Sequence, residues 1–269
     1  MSSQEKLNTN WRKVASAMYR KPTDSKIYGT VELDVTEIEK YISKKRKEGV
    51  KTTITYLMTL ILGRAIRQDV MELNSFVRRG KIRQRDQVDA TVSVLLKGGQ
   101  MGSVKVENAD KLTTEEISSK IGKEIAESRK GNENEDMQSK NMLSSLPWPI
   151  RNWVFHLYRT LTIKWGVSMP GIGLDPNSFG SFMVSNIGSV GLDTGYGSLL
   201  PSSNISFVMV LGTINKKPVV INDEVVIRKI MAISATLDHR VVDGSHGGRM
   251  FRLIKHFMKN PELLDLPPK

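Results

Sequence analysis

The sequence predicts an α/β protein built on a mixed β-sheet. Two observations carry this prediction. Helical and strand patterns alternate along the chain, and several neighbouring strand patterns are joined by short turns typical of hairpins. Frequent hairpins favour a mixed sheet over a doubly wound parallel one. The chain has 269 residues, 39% of them hydrophobic and 25% charged, which is typical of a globular protein with a substantial core.

The first half of the chain contains alternating helical and strand patterns. In order, these predict a basic amphipathic helix at 10–21, a strand at 27–35, helices at 36–47 and 52–69, short strands at 75–77 and 81–83, strands at 88–96 and 102–106, and a helix at 113–130. The last helix opens with TTEE, which resembles a capping box.

Two features of this half have a binding interpretation and a plain structural one. The basic run Lys44–Lys47 is interpreted as a solvated helix face. The segment GGQMG at 98–102 resembles a phosphate-binding loop, but no helical pattern follows it. A turn of a β-hairpin is therefore predicted there.

The second half begins with a change of composition. A polar segment at 131–140 precedes an aromatic, basic helix that opens at Pro147–Trp148–Pro149 and runs to about residue 165, followed by a loop at 170–180. Strands are predicted at 182–185, 205–214, 219–221 and 225–237, with turns at 216–218 and at Asn222–Asp223. A helix at 245–258 ends before Pro261.

The aromatic helix could be buried against the body, meet another subunit or lie on a membrane surface. Aromatic residues at helical spacing usually belong to a core. Burial or a subunit contact is therefore favoured over a membrane contact through 147–165. The aromatic residues concerned are Trp148, Trp153, Phe155, Tyr158 and Trp165.

Composition excludes several classes of function. The chain has no cysteine, so disulfides, thiolate catalysis and cysteine metal sites are ruled out. The net charge of +12 suits nucleic acid, a membrane surface or a nucleotide-bearing cofactor, but no nucleic-acid recognition motif is found. The first residues are polar and lack the apolar region of a signal peptide, so a cytoplasmic location is expected.

The stretch Ile233–Arg249 (ISATLDHRVVDGSHGGR) contains the best candidates for catalysis. An apolar strand delivers His239 to its end, and Asp243 follows four residues later at a turn, which suits acid–base chemistry. A metal site made of His239, Asp243 and His246 is disfavoured, because no further Cys or His ligand lies nearby in the sequence. No metal is expected.

Residues 238–244 (DHRVVDG) resemble the active-site signature of the 2-oxoacid dehydrogenase acyltransferases, or dihydrolipoamide acyltransferases, which are related to chloramphenicol acetyltransferase. The segment FMVSNIGSVG at 182–191 is similar to the serine-containing strand and turn of that family. VMVLGTINKKPVV at 208–220 is similar to its core strand. The resemblance covers roughly the whole chain apart from 131–180.

This resemblance implies a two-layer fold, a large mixed sheet flanked by helices, assembled as a trimer with active sites between subunits. It also implies acyl transfer between coenzyme A and a dihydrolipoyl group. His239 would be the general base, and Ser185 of a neighbouring subunit would stabilise the tetrahedral oxyanion. Asp243 would orient the histidine or hold the turn, and Arg240 would form a structural ion pair. The residues that contact coenzyme A stay open.

The sequence also departs from the family pattern. Residues 1–269 are expected to form a single catalytic domain with an atypical insertion at about 131–180, without a lipoyl domain or a subunit-binding domain. A lipoyl group would then be supplied in trans. The hairpin at 95–106 lacks the usual Pro and Gly-Leu residues, so the acyl group and its acceptor stay open. The alternative hypothesis is a non-catalytic or accessory core subunit of a 2-oxoacid dehydrogenase complex.

Overall fold

The computed structural model describes residues 25–95, 101–129, 147, 150–169 and 175–267. The helix predicted at 10–21 and the polar segment at 131–140 lie outside these ranges, as does most of the turn predicted around GGQMG. Among the described residues, no helix is both long enough and apolar enough to cross a membrane.

Within the described residues, eight strands form two sheets. Their bounds are β1 Lys26–Asp34, β2 Ser75–Arg78, β3 Lys81–Gln84, β4 Ala90–Leu95, β5 Met101–Val106, β6 Phe182–Asn186, β7 Phe207–Ile221 and β8 Glu224–Asp238. Six of them form the main sheet in the order β1-β8-β7-β6-β4-β5, and β2 and β3 form a separate hairpin.

The main sheet is mixed, as predicted. The pairs β4–β6 and β6–β7 are parallel, whereas β1–β8, β7–β8 and β4–β5 are antiparallel. The antiparallel pairing of β4 with β5 confirms the predicted hairpin, so GGQMG leads from strand to strand rather than into a helix.

Five α-helices accompany the sheet in the part of the chain that the structure describes. They are α1 Thr36–Lys47, α2 Ile54–Gln68, α3 Thr114–Arg129, α4 Ile150–Arg159 and α5 Gly244–Lys259. Their starts follow capping chemistry. The Thr53 side chain accepts a hydrogen bond from the backbone N–H of Tyr56 at 3.3 Å. Thr113 and Glu116 each accept from the other's backbone N–H, which confirms the predicted capping box.

The main core lies between one face of the sheet and the helices. Helix α2 is buried along almost its whole length and contacts α3 and α5, while α5 also packs on β1. The strand side of this core includes Phe182 and Phe207, whose stacked rings lie 5.1 Å apart between their centroids. Phe182, Val184 and Leu211 are fully buried on this face.

The opposite face of the sheet has a smaller cluster. Leu199, Ile205, Val208 and Val210 are buried together there, and Met183 packs against them. Side chains alternate along a strand, so Met183 and Ser185 point to this face while Phe182 and Val184 point to the main core. The segment after β6 thus covers part of the second face.

Strands β7 and β8 continue as a long two-stranded ribbon beyond the sheet. The turn predicted at 216–218 is wrong, because Pro218 lies inside β7 opposite Ile227. A proline is tolerated there, since β6 pairs with β7 only as far as Leu211 and no described strand needs the missing N–H. The turn predicted at Asn222–Asp223 is confirmed, with φ of 52° and 63°.

The interpretation of Lys44–Lys47 as a solvated face holds for only part of the run. Lys45 is buried, and its Nζ lies 2.8 Å from carboxylate oxygens of both Glu115 and Asp265. Burial lowers the pKa of Lys45, but hydrogen bonds to the two carboxylates outweigh it, so the pKa is raised overall. This contact joins α1 to α3 and to the C-terminal segment.

The aromatic helix predicted to 165 is present in two parts. Helix α4 is followed by a π-helical turn, Thr160–Trp165, which Gly166 ends with φ of 75°. Thr162 and Ile163 are buried in this turn, but Trp153 and Trp165 are exposed. Burial against the body therefore holds for the π-helical turn and not for the apolar face of α4.

Two helical glycines allow a matched test of the packing. A Cβ on Gly63 of α2 would lie 2.8 Å from backbone atoms of Ala109 and Asp110, whereas a Cβ on Gly122 of α3 would meet nothing within 4 Å. Gly63→Ala should lower the free energy of unfolding by about 1–3 kcal/mol through overpacking. Gly122→Ala should raise it by about 0.5–1 kcal/mol through helix propensity.

Urea unfolding of the two variants checks this prediction, with Gly122→Ala as the control for the helical preference of alanine. Equal stabilisation by both substitutions would show that α2 does not pack this closely on the segment at Ala109.

Candidate active site

Backbone hydrogen bonds fix His239 at the end of β8. The N–H of Asp238 donates to the carbonyl of Ser206 at 2.8 Å, just before β7 begins. The N–H of His239 donates to the carbonyl of Ser25 at 2.6 Å, just before β1. The histidine thus extends from a strand end that is held from both sides, as the sequence predicted.

The imidazole of His239 is oriented by its own turn. Its Nδ1 lies 2.8 Å from the carbonyl oxygen of Val242, and the side chain is half-buried. A carbonyl oxygen can only accept, so Nδ1 must carry the hydrogen in this contact. In the neutral ring the lone pair is then on Nε2, which is the arrangement that a general base requires.

Arg240 forms the structural ion pair that the sequence predicted. Its Nε donates to Asp238 Oδ1 at 2.9 Å and its NH2 donates to Oδ2 at 2.5 Å, so the pair is bidentate. Both residues are buried. Because Asp238 and Arg240 flank His239 in the sequence, their ion pair stabilises the backbone on both sides of the histidine.

Asp243 forms the N-cap of α5. Its Oδ1 accepts from the backbone N–H of Ser245 at 3.0 Å and from the Ser245 hydroxyl at 2.6 Å. His246 Nδ1 lies 2.7 Å from the same oxygen. Of the two roles expected for Asp243, these contacts support holding the turn between β8 and α5.

Within the ranges that the structure describes, His, Asp and Glu side chains form no cluster of three or more suited to a metal ion. His246 instead serves the helix start, and its Nε2 lies 3.8 Å from Glu72 Oε1.

Ser185 lies in a different part of the sheet from His239. The strand register places Ser185 beside Val210, and Val210 beside Ser234, which is five residues before His239. At about 3.3 Å per residue, His239 lies roughly 16 Å farther along the strand direction, and two strand spacings of about 4.8 Å add to this separation. One chain therefore does not bring these two residues together.

A buried polar network at the His239 edge of the sheet was missed by the sequence analysis. Asp89, fully buried, accepts from the backbone N–H of Asn108 at 3.0 Å and from the side chain of Gln87 at 2.9 Å. Asn177 donates to it at 3.3 Å. A carboxylate inside the apolar run VDATVSV was the available signal, because a buried carboxylate needs several donors.

Arg85 extends this network. Its Nε donates to Asn177 Oδ1 at 2.8 Å, its NH2 donates to the carbonyl of Asn204 at 2.7 Å, and its guanidinium stacks 4.6 Å from the Phe76 ring centroid. Burial lowers the pKa of Arg85 to about 10, although Asp89 opposes this shift. The contacts tie the β2–β3 hairpin to the segments that precede β6 and β7.

A basic groove opens at the other end of the sheet, between α1 and the β7–β8 ribbon, with a volume of about 1000 Å³. Its floor includes Ile42, Ile54 and Ile214. It contains one acidic residue, Glu39, which is paired with Lys229 at 2.7 Å. Seven cations also line the groove: Lys40, Lys44, Arg46, Lys47, Lys216, Arg228 and Lys229.

This groove lies near the end of β6 that carries Ser185. Thr53 and Ile54 line the groove, and the next residue, Thr55, accepts a hydrogen bond from Asn186 Nδ2 at 2.9 Å. Asn186 directly follows Ser185 in β6. The positive charge of the groove can therefore serve an anionic ligand that reaches the Ser185 position.

The fold of this chain is similar to the folds of two solved structures. A structure described as chloramphenicol acetyltransferase superimposes with a TM-score of 0.52 at 12% identity, covering 94% of this chain and 97% of that one. The structure of a probable dihydrolipoamide acetyltransferase from Listeria monocytogenes 4b F2365 gives a TM-score of 0.66 at 19% identity, covering 93% and 88% of the two chains. The predicted mixed sheet flanked by helices is thus confirmed.

Residues 174–266 match the family described as 2-oxoacid dehydrogenases acyltransferase (catalytic domain). The dihydrolipoyllysine-residue acetyltransferase component of the pyruvate dehydrogenase complex of Rickettsia felis is 26% identical over 266 residues, covering 96% of this chain. The resemblance drawn from the sequence is therefore confirmed for the C-terminal third of the chain, which matches the catalytic domain of this family.

The chain spans about half the length of that curated relative, 54%. Another acetyltransferase relative, more identical at 40%, matches over 84 residues, or 19% of its own length.

The capping role of Asp243 gives a prediction for stability. Asp243→Ala should lower the free energy of unfolding by about 1 kcal/mol, because it removes the acceptor at the start of α5. Asp243→Asn should cost only a few tenths of that, since asparagine caps as well as aspartate. Thermal unfolding measures both, and a loss in Asp243→Asn as large as in Asp243→Ala would show that the charge matters more than the cap.

Proposed function

We propose that this protein is a coenzyme A-dependent acyltransferase that moves an acyl group between coenzyme A and a dihydrolipoyl acceptor. The observation that carries the proposal is the contact of His239 Nδ1 with the Val242 carbonyl. It holds the neutral imidazole with its lone pair on Nε2, the state needed to remove a proton from a thiol.

The chemistry then follows in two steps. His239 Nε2 takes the proton of the attacking thiol as its sulfur bonds to the thioester carbonyl carbon, and the carbonyl oxygen becomes an oxyanion. The Ser185 hydroxyl donates a hydrogen bond to this oxyanion. When the tetrahedral intermediate collapses, the bond to the original sulfur breaks, and that sulfur takes the proton back from the imidazolium. No acyl-serine forms.

The separation of Ser185 from His239 supports a site shared between subunits. Within one chain, Ser185 and His239 lie on the order of 16 Å apart along the strand direction. A hydrogen bond from Ser185 to the oxyanion therefore requires Ser185 from another copy. The cyclic trimer expected from the family resemblance supplies such a neighbour three times, through one repeated contact.

The basic groove is proposed to bind the phosphates of coenzyme A. It lies next to the end of β6 that carries Ser185, and it combines several cations with an apolar floor. Phosphates are held well by a cluster of Lys and Arg side chains, and the floor can cover the uncharged part of an extended ligand.

The choice of a dihydrolipoyl acceptor rests on the relatives. Several are dihydrolipoyllysine-residue acetyltransferases of pyruvate dehydrogenase complexes, and one is a probable succinyltransferase of a 2-oxoglutarate dehydrogenase complex. Acetyl transfer from acetyl-CoA to dihydrolipoamide is therefore the first reaction to measure.

Mixing two inactive variants tests the shared site. His239→Ala should lower kcat by about 10²–10⁴-fold through loss of the base, and Ser185→Ala by about 10²–10³-fold through loss of the oxyanion donor. When the two variants are unfolded together and reassembled in equal amounts, about a quarter of the interfaces regain both residues, and activity should return to about that fraction of wild type.

Each variant unfolded and reassembled alone is the control and should stay inactive. If His239 and Ser185 act within one chain, mixing restores nothing. Full activity of His239→Ala would contradict the proposed chemistry itself.

Charge removal tests the groove. Replacing Lys44 and Lys47 with Gln should raise the KM for acetyl-CoA by roughly tenfold and leave kcat within about twofold, because these residues would bind the substrate equally in ground and transition states. Their KM for dihydrolipoamide should not change. The control is Lys255→Gln/Lys259→Gln on α5, outside the groove, and an equal rise of KM in that variant would reduce the effect to net charge.

A further inference from the structure

The exposed face of α4 is the largest feature that acyl transfer leaves without a role. Ile150, Trp153 and Leu157 lie at i, i+3 and i+7 and share one side of the helix, and they are 52%, 67% and 42% exposed. Trp165, the last residue of the π-helical turn that follows α4, is also exposed, at 57%. Such a run is too concentrated to be the scattered exposure normal for soluble surfaces.

The β2–β3 hairpin lies directly beside the end of this helix. Arg79 NH2 donates to the backbone carbonyl of Trp165 at 3.2 Å. The guanidinium of Arg78 lies so close to Gly166 that a Cβ there would be 2.5 Å away. The hairpin and the aromatic helix therefore present one continuous surface.

The charge of this surface has a single sign. Segments 75–84 and 150–169 contain seven cationic side chains and no Asp or Glu: Arg78, Arg79, Lys81, Arg83, Arg151, Arg159 and Lys164. Of the hairpin residues, Arg79, Lys81 and Arg83 are exposed. Exposed tryptophans next to cations, in segments without acidic residues, form a pattern suited to the boundary between lipid headgroups and acyl chains.

We propose that α4, the π-helical turn and the β2–β3 hairpin form a docking surface for a membrane rich in anionic lipids. The apolar side of α4 enters the headgroup region, Trp153 and Trp165 sit at its boundary, and the hairpin cations contact lipid phosphates. The proposal differs from the preference of the sequence analysis for burial or a subunit contact.

Charge decides against the other occupants. A two-fold contact between copies through this surface would bring the same cations together. Nucleic acid would match the cations but would leave the apolar side of α4 exposed to water. An anionic bilayer is complementary to both halves of the surface.

Co-sedimentation with vesicles tests the proposal. The full chain should bind vesicles of phosphatidylcholine with about 30% phosphatidylglycerol at least tenfold more tightly than pure phosphatidylcholine vesicles, and the binding should weaken with added salt. Trp153→Ala/Leu157→Ala should weaken binding at least about tenfold by removing the apolar part. Arg79→Gln/Lys81→Gln should weaken it by roughly tenfold through the lost charges.

Two matched variants serve as controls. Val225→Ala/Ile227→Ala removes a comparably exposed apolar pair from the tip of the β7–β8 ribbon, and Lys255→Gln/Lys259→Gln removes two exposed cations from α5. Both should bind anionic vesicles within about twofold of the unmodified chain, since neither pair belongs to the surface.

Light scattering after size exclusion separates the remaining outcomes. The proposal is overturned if the unmodified chain binds neither type of vesicle, if the control variants lose as much binding as the surface variants, or if Trp153→Ala/Leu157→Ala changes the oligomeric state instead of vesicle affinity. Thermal unfolding checks that the variants are folded. If Trp153→Ala/Leu157→Ala does not fold, the vesicle binding of Arg79→Gln/Lys81→Gln decides the test. None of these readouts depends on acyltransferase activity.

Discussion

The pairing of β8 with β1 on one side and β7 on the other is the interaction on which the site depends. It runs without interruption from Ile230 to Asp238 along β1, and it ends where Asp238 and His239 donate to the carbonyls of Ser206 and Ser25. A slip of one residue would turn His239 to the other face of the sheet. Backbone register thus sets the position of the histidine, and its own turn sets the orientation of the ring.

The polar groups around this edge stabilise that register. The bidentate pair of Arg240 with Asp238 is buried, and breaking such a pair by removing one partner typically costs 3–5 kcal/mol, on the order of half the stability of a domain. The hydrogen bonds of Asp89 and Arg85 likewise stabilise the segments that lead into β6 and β7. Buried charges with several partners hold these loops in one arrangement.

Two separate surfaces of the described residues carry clusters of positive charge. One is the groove between α1 and the β7–β8 ribbon, which has an apolar floor. The other is the surface of α4 and the β2–β3 hairpin, where Trp153 is exposed. Their lining separates their proposed roles, because a groove suits an extended small anion and exposed tryptophans beside cations suit a lipid layer.

Sequence patterns alone were enough to predict the element types, the mixed sheet, the turn at Asn222–Asp223 and the capping box at Thr113. They also pointed to the candidate residues at 239, 240 and 243. These follow from local patterns of two to seven residues, which act before any long-range contact forms. The tertiary structure decided what depends on neighbours distant in sequence. Pro218 stays in a strand because the pairing of β6 with β7 ends at Leu211 of β7, and Lys45 is buried because Glu115 and Asp265 reach it. Ser185 is separated from His239 because the register of β6, β7 and β8 places the two residues at different levels along the strands. Strand register cannot be read from the spacing of residues in the sequence.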